Sequence, residues 1–334
     1  MRVLQLNLCR AVGGSAFHHA DLALGLKALG HEVMVADRLG LFSSHYTKGT
    51  VPHIQMRRGL THYRLARALQ SFRPDIIHSH QSLAARVANR VKGGTPVVST
   101  IHGEFKARSY MRSDGIIRVA DHQSRRMSGY RGPAVTIWNW LRVGGASVAS
   151  TTIRKELGIP ETTIVFGSVG RIVRMKGVFD LIDAFTTLEG EDLRLLIVGE
   201  GKDLRRARAR AAQDRRIRFT GHRSDAPALM AALDVFVMPS YAECFPLVLI
   251  EAAAAGCAIV ATETKGAREL LRGQPARLVP ISDVQALAAA LREAQMEVHK
   301  AMRKRYRYNL SAFERDRQIA KTLDFYRRVL CDRL

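Results

Sequence analysis

The feature that most constrains the fold is an alternation, along nearly the whole chain, of short apolar runs with longer amphipathic stretches. Runs of strand length occur at Val3–Leu8, Glu32–Ala36, Asp75–Ile77, Pro96–Ile101 and Ala134–Ile137. Between them Phe17–Leu29 (ended by Gly30), Leu60–Phe72 and Leu83–Val91 read as helices. Strands that alternate with helices in this way predict a parallel, doubly wound sheet. Arg142–Ser147 reads as a linker, after which the alternation begins afresh. Strands are predicted at Ile164–Val169, Leu193–Val198, Ile217–Phe219, Val235–Met238 and Ala258–Ala261. Helices are predicted at Val178–Leu188, Asp203–Gln213, Ala226–Leu233, Leu247–Ala255 and Asp283–Ala294. A chain of 334 residues has room for two domains of ordinary size. The reading is therefore α/β: two Rossmann-like doubly wound domains facing a cleft. They are placed at 1–145 and 146–310, with a helix over 311–334 packing back on the first.

Charge narrows the partners. There are 52 Lys and Arg against 30 Asp and Glu, a net charge of +22. Such an excess calls for an anionic partner: nucleic acid, an anionic membrane surface or a phosphorylated substrate. Cys9, Cys244, Cys257 and Cys331 are scattered and form no C-x-x-C, so a disulfide scaffold and a cysteine metal site are both poor readings. A reducing cytosol is the expected compartment. The first residues, Met1–Leu8, are too short and too interrupted for a signal peptide. Cys244–Ala261 is almost wholly apolar, yet Pro246, Glu251 and Gly256 interrupt it. It reads as a buried helix followed by a strand, not as a membrane span.

Ligands of open α/β sheets bind beyond the carboxyl ends of the strands. After Ile164–Val169 comes Gly170-Arg171-Ile172-Val173-Arg174-Met175-Lys176-Gly177, which sets two cations beside a helix N-terminus. Glycines allow close backbone approach there, and the loop suits a pyrophosphate as well as it suits solvent. After Val235–Met238 two carboxylates lie eight residues apart, Glu243 in the loop and Glu251 inside an apolar helix. A buried carboxylate needs a partner, and either an arginine or the hydroxyls of a sugar or ribose would serve.

Taken together and in order, these pieces form a series. It runs Gly170-Arg171-(x4)-Lys176-Gly177, Val198-Gly199-Glu200-Gly201, Phe219-Thr220-Gly221, Glu243-(x7)-Glu251, Gly256–Thr262 and Gly266-(x2)-Glu269. The series closely resembles the donor half of retaining GT-B glycosyltransferases of the GT4 family (glycosyl transferases group 1). Gly13-Gly14, Arg73–His80 and Ser99-Thr100-Ile101-His102-Gly103 resemble its N-terminal half. The resemblance implies an acceptor-side first domain and a second domain that binds a nucleotide-sugar. It implies that Arg171 and Lys176, with the backbone amides of Leu247 and Val248, bind the donor diphosphate. Glu251 would hold the ribose, Glu243 the hydroxyls of the sugar, and His102 would lie near the reacting centre, so that His102 and Glu243 are the catalytic candidates. Gly13 and Gly14 would let the first loop approach the phosphate or the acceptor. His78 and His80 read as structural or acceptor-side groups. Two departures stand out: Pro246 replaces a frequent glycine, and Ile137-Trp138-Asn139-Trp140 replaces the usual Pro-Asn-Gly near the hinge. No role is carried over from that hinge.

No Asp-x-Asp occurs in the chain, so no metal and no cofactor are expected, and Arg171 and Lys176 would neutralise the leaving group instead. The donor is expected to be a UDP-sugar on family frequency alone. The acceptor is expected to be a glycan or glycolipid such as lipopolysaccharide or another cell-surface polysaccharide. Between Gln55 and Arg131 there are 15 basic and four acidic residues. Arg57, Arg58, Arg64 and Arg67 share a stretch with Leu60, Tyr63, Leu65 and Leu69, a basic amphipathic pattern suited to an anionic bilayer. A cytoplasmic enzyme peripheral to the inner face of the cytoplasmic membrane follows. Two rival readings remain at this point. One is a nucleotide-sugar 2-epimerase of the same fold. The other is a basic nucleic-acid-binding protein, although no nucleic-acid motif is present and none is expected as a partner.

Overall fold

The structure, a computed structural model, describes residues 1–9, 12–38, 42–141, 150–223, 225–300 and 305–332. It divides into two compact units, one of Met1–Trp140 with Phe313–Leu334 and one of Leu141–Ala312. The predicted linker Arg142–Ser147, with the boundary at 145/146, lies outside the described residues.

The first unit holds seven parallel strands: β1 (Arg2–Asn7), β2 (Glu32–Asp37), β3 (His53–Gln55), β4 (Ile76–His80), β5 (Val97–Ile101), β6 (Gly115–Arg118) and β7 (Ala134–Thr136). Their order in the sheet is β3-β2-β1-β4-β5-β6-β7. The second unit holds six: β8 (Ile164–Val169), β9 (Leu193–Val198), β10 (Ile217–Gly221), β11 (Val235–Met238), β12 (Ala258–Thr262) and β13 (Ala276–Val279). Their order is β10-β9-β8-β11-β12-β13, again all parallel. Both sheets reverse their direction of winding once, between β1 and β4 and between β8 and β11. At such a switch point two neighbouring loops diverge and leave a crevice at the carboxyl edge.

The strand pattern follows from burial. Strands covered by helices on both faces read as mostly apolar runs, as β8, β9, β11 and β12 do, with Ser168 in β8, Arg194 in β9 and Thr262 at the end of β12 as the polar positions. In the second unit Phe166, Leu181, Phe185, Leu195, Ile197, Val235 and Val237 form one fully buried cluster. The apolar stretch at Cys244–Ala261 resolves into the helix Leu247–Ala254 and β12. Among the described residues no helix is long and apolar enough to cross a membrane. The last helix, Arg315–Cys331, contributes Ile319, Leu323, Phe325, Tyr326 and Val329 to the core of the first unit. Its first residue is tied to that core by charge. Arg315 Nε lies 2.8 Å from the buried carboxylate of Asp21, which also accepts the Trp140 indole N–H at 2.6 Å.

The core of the first unit is also unusually rich in imidazole. His18, His19, His78 and His80 are buried, and His102 is half-buried. His18 packs on Trp140 with ring centroids 4.1 Å apart, and His78 stacks on His80 at 4.3 Å. Burial, followed by the repulsion of neighbouring rings, holds His18, His78 and His80 well below the usual imidazole range. Burial pushes His19 down to about 4 and His102 down to about 3. In the unfolded chain these rings take up a proton near pH 6.5, whereas the folded protein keeps them neutral. Below that pH the unfolded state binds more protons, so stability is full above it and declines as pH falls toward the folded values. Each ring contributes a slope of up to roughly 1.4 kcal/mol per pH unit. The thermal unfolding midpoint is therefore expected to fall steadily between about pH 7 and about pH 5, where carboxylates have not yet titrated. A midpoint that stays level over that interval would contradict neutral burial of the cluster.

Candidate functional site

In the second unit the two loops that diverge at the switch point are those the sequence singled out. Strand β8 leads into Gly170–Gly177, and β11 leads into Pro239–Pro246. They are held against each other by backbone. Tyr241 N–H donates to the carbonyl of Met175 at 2.9 Å. Gly177 lies so close to Pro239 that a Cβ built on it would stand 1.9 Å from the Pro239 carbonyl oxygen. With φ at +68° as well, the position excludes any side chain on two grounds. Behind them, Ile172 N–H donates to Glu200 O at 2.8 Å, and the Asp203 carboxylate accepts the Arg174 N–H at 2.8 Å.

That frame brings Lys176 and Glu243 together. The Lys176 ammonium is hydrogen-bonded to Glu243 Oε1, which also accepts from the Ser240 hydroxyl at 2.8 Å. The lysine side chain is 31% exposed and the carboxylate 12%, so the pair is reachable from solvent but only thinly screened. Arg171 stands on the same loop and is exposed, with no ion pair among the described residues. The helix Leu247–Ala254 starts directly after the second loop, with Pro246 in extended conformation at its cap. The first backbone amides of a helix have no acceptor within it, so those of Leu247 and Val248 are available to an anion. Glu251 is one turn further in and buried, at 7% exposure. The structure thus joins Lys176 directly to Glu243 and puts Leu247 and Val248 at the adjoining helix start.

In the first unit, Gly13 is the cap of the helix Gly14–Ala28, which begins three residues earlier than the sequence suggests. A Cβ on Gly13 would meet nothing within 4 Å. At the end of β1 the Asn7 side chain donates to Ser15 O of this helix at 3.2 Å and accepts the Cys9 N–H at 3.0 Å. His102 follows β5, and its Nε2 lies 3.1 Å from His80 Nδ1. His80 Nε2 in turn donates to Gln5 Oε1 at 2.7 Å. His18, His80 and His102 each bring a ring nitrogen within 4.8 Å of the others, a spacing one metal ion can bridge. The hydrogen bond between His80 and His102 accounts for the closeness of those two rings without an ion.

Sequence reasoning missed Ser240, Asp203, Gln5 and His18. Ser240 and Asp203 lie inside or beside recognised loops, but their work depends on which strands are neighbours. Gln5 had a signal, since a polar side chain in the middle of an apolar run needs a buried partner; His18, beside His19 and Asp21, had none.

Comparison with known proteins places the chain. Residues 149–310 match the family Glycosyl transferases group 1, and residues 12–142 match Glycosyltransferase Family 4. The phosphatidyl-myo-inositol mannosyltransferase of Mycobacterium leprae is 32% identical over 73% of this chain and 70% of its own length. The lipopolysaccharide core biosynthesis glycosyltransferase LpsE of Rhizobium meliloti is 30% identical over 66% of this chain and 65% of its own, so the chain spans just under two thirds of that protein. In fold, the crystal structure of Anabaena HepE in complex with UDP and glucose superposes with a TM-score of 0.81, at 21% identity, over 97% of this chain and 99% of that one. The relatives named here are glycosyltransferases. Two doubly wound units of GT-B type and matches along both make the chain a glycosyltransferase that belongs to the group 1, GT4-type family.

Proposed function

We propose that the enzyme transfers a sugar from a UDP-sugar, with retention at the anomeric carbon and without a metal, to a glycan or glycolipid of the cell surface such as lipopolysaccharide. The observation that carries this reading is the meeting of Lys176 with Glu243 at the switch point, beside the start of the helix Leu247–Ala254. A nucleoside diphosphate gains negative charge as the glycosidic bond breaks. Arg171, Lys176 and the amides of Leu247 and Val248 offer that charge preplaced positive partners, which lowers the barrier. Glu243 exchanges its ammonium partner for hydroxyls of the sugar, and Glu251 takes the ribose hydroxyls. Gly13 and Gly14 would let the first loop approach the phosphate or the acceptor, and His102 would serve the sugar. The acceptor attacks on the face the diphosphate leaves, and the β-phosphate takes the acceptor proton. The names of the relatives support a glycolipid or lipopolysaccharide acceptor, and the UDP bound to HepE supports the base.

Incubating a panel of nucleotide-sugars with a glycolipid extract in EDTA is expected to give an extended product whose anomeric configuration, read by NMR, matches the donor. Lys176→Ala and Arg171→Ala are each expected to lower turnover about 100-fold while the unfolding midpoint stays put. Turnover that vanishes in EDTA and returns with Mg²⁺, or conversion of the donor without any acceptor, would overturn this reading.

We further propose that the first unit attaches to anionic bilayers, and the observation here is a surface one. The helix Thr61–Phe72 buries Leu65, Ala68 and Phe72, while Leu60 and Tyr63 are 51% and 61% exposed. Arg57, Arg58 and Arg67 are exposed around them, Arg64 is half-buried, and the Arg67 guanidinium lies 6.0 Å from the Tyr63 ring centre. Each charge near an anionic surface contributes on the order of 1 kcal/mol, and salt weakens it. Co-sedimentation with anionic vesicles is expected to exceed that with neutral ones at low salt, and to be lost when the four arginines are changed together to Gln. Equal binding to both kinds of vesicle, or unchanged binding by that variant, would contradict the surface.

A further inference from the structure

Six side chains of the first unit form one hydrogen-bonded row: Thr100, His78, Tyr326, Gln5, His80 and His102. All but His102 are fully buried. The parallel register sets Gln5 beside His78 and His80 beside Thr100, and Tyr326 arrives from the last helix. A neutral imidazole has one N–H and one bare nitrogen, and a hydroxyl donates once. Fixing the direction of one bond in such a row therefore fixes all of them.

Gln5 is the one member whose two ends differ, since its carbonyl only accepts and its amino group only donates. Its Oε1 lies 2.7 Å from His80 Nε2, and its Nε2 lies 3.4 Å from the Tyr326 hydroxyl. In this orientation His80 carries its proton on Nε2 and leaves Nδ1 bare. His80 Nδ1 then accepts the Nε2–H of His102 at 3.1 Å, so Nδ1 of His102 is bare as well. At the other end Tyr326 donates to His78 Nδ1, and His78 Nε2–H donates to Thr100 Oγ1 at 2.6 Å. Among the described residues Nδ1 of His102 has no protein partner.

We propose that Gln5 is a positioning residue: its carboxamide sets the direction of the whole row, so that His102 presents Nδ1 as an acceptor for a hydroxyl of the transferred sugar. This rests on the role proposed above for His102 at the sugar. Burial serves the device, because a cluster that stays neutral keeps one defined tautomer across the working pH range. A reversed amide would put the proton on Nδ1 and turn His102 into a donor.

Nitrogen-15 NMR of the histidine-labelled enzyme, with no substrate present, reads the tautomer directly. The Nδ1 resonance of His102, assigned by its loss in His102→Gln, is expected at the unprotonated position. In Gln5→Met it is expected to move toward the protonated position, and in Gln5→Glu, whose carboxylate still accepts from His80, to stay. Tyr326→Phe removes only the hydroxyl that holds the amide, and is expected to shift the resonance part of the way. It serves as the second variant if Gln5→Met does not fold. In turnover, Gln5→Met is expected to lose about tenfold in kcat, with little change in donor KM and recovery in Gln5→Glu. A protonated Nδ1 in the parent enzyme, or a resonance that ignores Gln5→Met and Tyr326→Phe, would overturn the row. A shifted resonance with unchanged kcat would instead remove His102 from the sugar, and with it the catalytic half of the inference.

Discussion

The candidate site depends on one short contact between the two loops of the second switch point, the Lys176 ammonium on the Glu243 carboxylate. Neither group is placed by its own helix. Lys176 is the last residue of a single helical turn (Arg174–Lys176), and Gly177 closes that turn only because it has no side chain to strike Pro239. Glu243 is held by the Ser240 hydroxyl from its own loop. The ion pair therefore reports that β8 and β11 are neighbours, the consequence of winding the sheet in two directions. It also holds an ammonium and a carboxylate in fixed, thinly solvated positions where the proposed function puts the diphosphate and the sugar, so little reorganisation is left for the moment of reaction.

The first unit adds a different device. His18, His19, His78, His80 and His102 are kept neutral by burial, so these rings act by hydrogen-bond direction and not by charge. Asp21 adds a firm tie, since one buried carboxylate holds both Trp140 and Arg315. His18 packs on that same Trp140. A change in the chain near Trp140 therefore has a short path of packed rings to His80 and His102.

Much of this was legible in the residues. β8, β9 and β11 coincide with the apolar runs read from the sequence, because strands buried mostly on both faces carry few polar positions, here only Ser168 and Arg194. β3, β6 and β13 were not foreseen. They are three or four residues long and include polar residues such as His53, Gln55 and Arg277, so nothing separates them from loop. The helix expected to end at Ala294 runs on to Lys300, since its later turns are polar and carry little periodic signal. For the site, the loop residues could be named because an ordered set of glycines and charges falls just after strong strands. That Lys176 and Glu243 bind each other could not be, nor could the row through Gln5. Those contacts join residues 67 and up to 321 positions apart, and they exist only once strand order and register are set.

The measurement closest to the central claim is the calorimetric affinity of a nucleoside diphosphate, without sugar, for the parent enzyme and for Glu243→Gln. If Lys176 is the diphosphate cation and Glu243 its resting partner, neutralising the carboxylate frees the ammonium. Affinity should then rise about two- to fivefold, the worth of a partly exposed ion pair. Affinity that falls on the same change would contradict the account, because the carboxylate would then be supporting the nucleotide instead of competing with it.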